Sequence, residues 1–219
     1  MAWKACPLDS AKSQGKDAEC ADVVVPVDWE EPKGATISVF VKRWPVLTTP
    51  AMHHLWFIQG GPGGSGAEWD KKLGSAAKSF PEAQFYFQDP RGVGRSTRLG
   101  CTVEEDPASP GDIDITLAEW PSCLADVKAK QGAVLKHFNT TQTAKDLGAL
   151  IQATSVGVPK TTVIGQSYGT TLLQRWLHFF PDQATSVILD SLANPRRASI
   201  VRRWRSISLA SSRSRRTAA

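Results

Sequence analysis

The residues with the clearest chemical meaning are Gly165-Gln166-Ser167-Tyr168-Gly169. They fall between a short β-branched run, Thr161-Thr162-Val163-Ile164, and a helical pattern that begins at Tyr168. A serine at a sharp strand-to-helix turn has its hydroxyl lifted clear of the sheet, where it can attack an acyl carbon. Such a turn crowds the backbone two residues to either side, and glycine is what tolerates the crowding. The helix that follows turns free N–H groups and its positive dipole end toward a developing oxyanion. Ser167 is therefore the candidate nucleophile, and the backbone N–H of Tyr168 a candidate oxyanion donor.

A second motif completes that chemistry. The apolar run His54-Leu55-Trp56-Phe57-Ile58 ends abruptly in Gln59-Gly60-Gly61-Pro62-Gly63-Gly64-Ser65-Gly66. A glycine-rich turn after a core strand exposes backbone N–H groups that side chains would otherwise cover, and Gly61 is the expected second oxyanion donor. A phosphate-binding loop is excluded because no Gly-Lys-Ser/Thr follows, and Lys71-Lys72 come too late. The third motif, Asp89-Pro90-Arg91-Gly92-Val93-Gly94-Arg95-Ser96, follows the strand pattern 84–88. Its Asp89 and Arg91 read as structural: side-chain-to-backbone bonds can hold such a turn and brace the neighbouring elbow.

The elements that must position these motifs read as strands at 21–27, 36–44, 54–58, 84–88, 161–164 and 186–189. Helices are expected at 140–154, capped by Asn139, and at 168–180. In 36–44, Ile37, Val39 and Val41 alternate with Ser38, Phe40 and Lys42, the pattern of a half-buried antiparallel strand. Residues 100–138 look irregular, with Pro107, Pro110 and Pro121 breaking any long helix. Short unalternating strands that alternate with helices predict a parallel sheet covered on both faces. The fold class is α/β, an α/β-hydrolase fold: antiparallel N-terminal strands lead into a doubly wound, mostly parallel sheet.

In this order the three motifs resemble those of the proline iminopeptidase and tripeptidyl aminopeptidase family of serine peptidases. The opening Cys20-Ala21-Asp22-Val23-Val24-Val25-Pro26-Val27-Asp28-Trp29 and Leu189-Asp190-Ser191 resemble its secreted branch, over roughly residues 3–195. Gln59 departs from the histidine or asparagine of many relatives, although the glycines are kept. The resemblance implies peptide substrates, cleaved from a free N-terminus through an acyl-enzyme on Ser167, with no cofactor and no metal. It also implies a catalytic acid and then a histidine from later strands. Two other readings stay open: an esterase or lipase on the same scaffold, and a non-catalytic pseudo-hydrolase that binds a peptide or partner.

The general base is hard to place within the chain. His178 alone follows Ser167, about 16 Å away along the helix at 1.5 Å per residue. His53, His54 and His137 read as surface or packing residues. Asp190 lies on the correct edge of the sheet to be an acid, but the resemblance places the acid on a later strand. The expectation is a partial domain over 1–195, lacking its last strands and cap and impaired in catalysis.

Composition bounds the remaining classes. The net charge is +5, yet eight arginines and no acid lie between Arg196 and Ala219, so five less eight leaves −3 for residues 1–195. The folded part is thus not expected to bind nucleic acid, and 196–219 reads as a disordered or out-of-frame basic tail. No apolar run is long enough for a membrane span. Residues 1–7 lack the apolar core of a signal peptide, which suggests a cytosolic protein or a sequence without its true start. Against that, Cys6, Cys20, Cys101 and Cys123 are spaced for two local bridges, Cys6–Cys20 and Cys101–Cys123, although four unpaired thiols are the alternative. Paired cysteines together with the resemblance favour a secreted or periplasmic location, with the cytoplasm as the alternative. No Cys-x-x-Cys or neighbouring histidine suggests zinc.

Overall fold

The computed structural model describes residues 1–7, 18–44, 46, 50–73, 79–101, 103, 105, 108–110 and 115–192, with nothing said of the side chains of 70–72. The basic segment 196–219 lies outside the described residues. Among the described residues seven strands form a single sheet: β1 (Lys4–Cys6), β2 (Ala18–Pro26), β3 (Thr36–Trp44), β4 (His53–Ile58), β5 (Ala83–Gln88), β6 (Lys160–Gln166) and β7 (Ser186–Asp190). Their spatial order is β1-β2-β3-β5-β4-β6-β7. The first three strands and β5 pair antiparallel, whereas β5, β4, β6 and β7 run parallel. The expected antiparallel lead-in to a parallel sheet is what the chain builds.

Helices lie on both faces. Trp56 and Ile58 of β4 and Tyr86 of β5 pack with Leu147, Leu150 and Ile151 of α3 (Thr140–Thr154) and with Leu172, Leu173 and Trp176 of α4 (Tyr168–Phe179). On the other face Phe57, Phe85 and Phe87 pack with Trp44 and with Trp69 of α1 (Ala67–Leu73). Alternate residues of one strand thus serve opposite cores, which explains why β4 and β5 read as apolar runs without alternation. As expected, Asn139 caps α3, its Oδ1 accepting the Gln142 N–H at 3.0 Å.

Two expectations need correction. Strand β3 is buried on both faces: Phe40 is 4% and Lys42 6% exposed. The Asp89–Ser96 turn covers the face expected to be wet, since the Arg95 guanidinium sits 4.0 Å above the Phe40 ring and Ser96 Oγ accepts the Phe40 N–H. Within the stretch read as irregular lies α2 (Trp120–Gln131), with Pro121 in its first turn. No N–H is needed there, so this proline starts a helix instead of breaking one. Cys123, the one buried residue of α2, is disulfide-bonded to Cys101, and Cys6 to Cys20.

A buried ion pair ties the N-terminal strands to the later helices. The Arg91 guanidinium donates from Nε to Asp146 Oδ2 at 2.7 Å and from a terminal nitrogen to Oδ1 at 2.6 Å, both side chains being wholly buried. Its remaining N–H groups reach the carbonyls of Pro26, Val27 and His137, and Trp29 Nε1 donates to Asp146 Oδ1 at 2.8 Å. Every donor of the fork has an acceptor, the condition under which a buried charge is tolerated. Arg91→Met should cost about 3–5 kcal/mol in urea unfolding by stranding Asp146, and adding Asp146→Leu should recover most of that loss. Equal losses in the single and double variants would contradict this.

His54 is another buried polar group, with its ring centroid 4.8 Å from that of Tyr86 and no partner for Nδ1. Burial, with Arg43 and His53 adding positive charge nearby, lowers its pKa from 6.5 to about 4. Between those values the unfolded chain binds a proton that the folded chain refuses, so stability falls as pH drops through the window and levels off below it. Relative to His54→Phe, the wild type should lose about 3 kcal/mol between pH 7 and 4, as read by denaturant unfolding. Parallel pH profiles would refute the assignment.

Candidate active site

The site forms where the winding of the sheet reverses. From β4 the chain passes to β5 on one side, then returns to place β6 on the other. The carboxyl ends of β4 and β6 therefore diverge into loops on opposite sides of a crevice, the place where open α/β sheets bind ligands. The loop after β4 is the Gln59–Gly66 turn, and the loop after β6 is the single residue Ser167.

Ser167 has φ 53° and ψ −116°, a backbone state that costs a non-glycine residue about 1–3 kcal/mol. Three contacts hold it there. Its N–H donates to the Asp190 carbonyl at 3.0 Å, and its carbonyl accepts the Thr170 N–H at 3.0 Å and the Thr170 hydroxyl at 2.6 Å. Packing does the rest. A Cβ on Gly169 would lie 2.6 Å from the Ile58 carbonyl oxygen, and one on Gly165 would lie 2.8 Å from the Gly169 backbone. These are the close approaches expected of the glycines two positions from the serine.

A cavity of about 590 Å³ opens over Ser167, lined by Gln59, Gly60, Gly61, Gly63, Gly64, Glu68, Gln166 and Ser191. Gly61, the expected donor, is thus beside the serine, with φ 108° that suits glycine. Tyr168 opens α4, where first-turn N–H groups lack intrahelical acceptors, and its phenol is hydrogen-bonded to Thr140 Oγ1 at 2.7 Å. The sheet therefore brings Ser167 and Gly61 to one crevice, and Tyr168 follows the serine directly without lining the cavity.

Asp89 braces the Gln59–Gly66 loop more directly than the elbow. Its Oδ1 accepts from Ser65 Oγ and from the Gly66 N–H, both at 2.7 Å, while Oδ2 accepts the Arg95 N–H at 2.9 Å. One carboxylate thus pins the end of the Gln59–Gly66 loop to the turn after β5.

All four histidines are described, and none lines the cavity. His53 Nε2 is 2.8 Å from Thr162 Oγ1, His54 is buried against Tyr86, His137 Nδ1 is 3.6 Å from Asp28 Oδ2, and His178 packs edge-on to Phe179. Asp190 accepts from Gln166 Nε2 at 3.0 Å and from Ser191 Oγ at 3.2 Å. No group of three or more metal-ligating side chains exists among the described residues. No described helix is long and apolar enough to cross a membrane.

Three features went unread in the sequence. Gly60, not only Gly61, is required, because a Cβ there would lie 2.9 Å from both the Gln166 carbonyl oxygen and Ser167 Cβ. Its place immediately before the expected donor was the available signal. Glu68 and Ser191 line the cavity without belonging to either glycine motif; nothing in the local pattern marks Glu68, and Ser191 was met only as the end of the Leu189-Asp190-Ser191 resemblance. Ser191 also has a positive φ of 58°.

Fold and elbow agree with the comparison with known proteins: the chain belongs to the alpha/beta hydrolase fold family, whose profile matches residues 53–213. It is 30% identical over 218 residues to a tripeptidyl aminopeptidase of Streptomyces coelicolor, covering 90% of this chain and 39% of that protein. It is 29% identical over 208 residues to the serine protease Hip1 of Mycobacterium tuberculosis, covering 86% and 39%. Carboxylesterase B of M. tuberculosis is 28% identical over 172 residues, covering 70% and 32%. An epoxide hydrolase from Vigna radiata aligns in structure with a TM-score of 0.49 at 15% identity, over 90% of this chain and 46% of that one. The chain spans well under half the length of the relatives it matches.

The Gly60 contact gives a direct test. Gly60→Ala should lower stability by about 1–3 kcal/mol and move the amide resonances of 165–169, because the added methyl must displace the elbow. Unchanged melting and unchanged resonances would mean that the two loops do not meet as described.

Proposed function

We propose that the chain carries the nucleophile half of a serine hydrolase that releases short pieces from free peptide N-termini. Ser167 attacks the scissile carbonyl, and the N–H groups of Gly61 and Tyr168 hold the tetrahedral oxyanion. The single observation that carries this reading is the positive-φ Ser167, locked at the switch point with the glycine loop against it. The tripeptidyl aminopeptidase and serine protease among the relatives support a peptide over other acyl substrates. Carboxylesterase B supports the second reading, an esterase on the same site.

No histidine of this chain stands in the cavity, so the cavity wall supplies Ser167 with no imidazole as general base. Alone, the chain turns over slowly, because oxyanion stabilisation and binding without a base leave roughly 10³–10⁴ over water. The paired cysteines support an oxidising compartment outside the cytoplasm.

An open cavity without an imidazole invites one from solution. Added imidazole should accelerate hydrolysis of a tripeptidyl anilide by the chain about tenfold or more, with no gain in Ser167→Ala. The gain for a short acyl ester, corrected for spontaneous reactivity, should be smaller. A larger gain for the ester would favour the esterase reading, and no Ser167-dependent gain for either substrate would sink both.

A further inference from the structure

A second cavity, of about 340 Å³, lies between α3 and the end of α4, lined by Trp29, Lys145, Ala149, Gln152, Phe179 and Phe180. It shares no residue with the cavity over Ser167, and α4, which starts beside the serine, carries Phe179 about 18 Å away at 1.5 Å per residue. Lys145, Ala149 and Gln152 follow at i, i+4 and i+7, one stripe of α3, and three aromatic rings complete the lining. The rings are held in place. Trp29 is fixed by its backbone N–H, which donates to Gln142 Oε1 at 2.9 Å, and by Nε1, which donates to Asp146. Phe180 lies against Gly148, where a Cβ would collide with its ring, and Gln183 ties the chain after α4 to the Gly148 carbonyl at 3.0 Å. A preformed, mostly apolar cavity with a few fixed polar groups is what small-molecule sites have in common.

Charge selects the ligand. Lys145 is the one ionisable group among the described lining residues, its side chain only 17% exposed, and its Nζ stands 5.2 Å from the Phe179 ring centroid. The Arg175 guanidinium stands 5.2 Å from the same centroid. A cation entering beside Phe179 would meet like charge, so this cluster of rings does not suit an ammonium guest. The acid that answers Lys145 is Glu30, which is outside the lining and has a 72% exposed side chain. An exposed partner of this kind is weakly held and exchanges readily for another anion. We propose that the cavity binds an aromatic carboxylate, its ring stacked among Trp29, Phe179 and Phe180 and its carboxylate replacing Glu30 on Lys145. The volume stands at the lower end of the roughly 300–1,000 Å³ of small-molecule sites, which suits one or two fused rings. The proposal is independent of the reading of Ser167, since neither site contributes to the other's lining.

Equilibrium binding tests this without turnover. Naphthoate, its methyl ester and naphthyl trimethylammonium are titrated by calorimetry into the full chain, with amide resonances locating the site. Naphthoate should bind about tenfold tighter than the ester and shift the amides of 145–152 and 179–180, and the ammonium should bind more weakly than either. Lys145→Met, which keeps an apolar stem and removes the charge, should bring naphthoate down to the affinity of the ester and leave the ester within about twofold. Glu30→Gln should raise naphthoate affinity about two- to threefold by releasing Lys145, a gain that a purely structural ion pair would not give. Ala149→Trp should abolish binding of both by filling the cavity, with thermal melting checking that each variant folds. Ester or ammonium binding as tight as naphthoate, or a preference that survives Lys145→Met, would overturn the proposal. So would shifts at 165–169 in place of those on α3 and the end of α4, or no binding of any of the three.

Discussion

The rest of the site depends on one steric constraint: backbone meets backbone at the switch point, with no room for side chains. Gly60 lies against Ser167, Gly169 against the end of β4, and Gly165 against Gly169. Because β4 and β6 are adjacent parallel strands, their carboxyl ends start only one strand spacing apart. A loop and a helix must leave that gap together, and only glycine at the contact positions lets them. The strained φ of Ser167 follows from that geometry, and its hydroxyl is carried to the cavity as a result.

Polar groups then fix what packing alone would leave loose. Asp89 fastens the far end of the glycine loop to the turn after β5, so both ends of that loop are anchored. Arg91, two residues on, reaches in the opposite direction to Asp146 on α3 and to carbonyls of the N-terminal strands. One short turn thus couples the Gln59–Gly66 loop, the antiparallel lead-in and the helix that packs on α4. Removing a member leaves a buried charge unpaired, so this network constrains the fold at least as strongly as it stabilises it. The site is consequently held by rigid elements, with Ser167 itself the whole connection between β6 and α4.

Much of this was legible in residue types. The elbow could be read because its chemistry needs glycine at fixed offsets, and the strands because two-sided burial leaves unbroken apolar runs such as Trp56–Ile58. The Asn139 cap is a local interaction and was equally visible. What escaped was set by tertiary contact. The face of β3 around Phe40 is dry only because a turn some fifty residues later folds over it, and no window on β3 contains that turn. Pro121 was read as a breaker when its position in the first turn makes it a starter. Asp146 looks like an ordinary polar residue of an amphipathic helix, and its partner Arg91 is 55 residues away. Glu68 faces the cavity because Gln59 holds it, a pairing across a loop that no periodicity encodes.

The central claim is that Ser167 alone among the serines of this crevice is poised to attack. Its most direct test is to treat the chain with a small fluorophosphonate in the presence of imidazole and locate the adduct by peptide mass spectrometry. The account predicts modification at Ser167, rising with imidazole, with Ser65 and Ser191 untouched although one braces the loop and the other lines the same cavity. Modification spread evenly over the three, or none at Ser167 at any imidazole concentration, would contradict it.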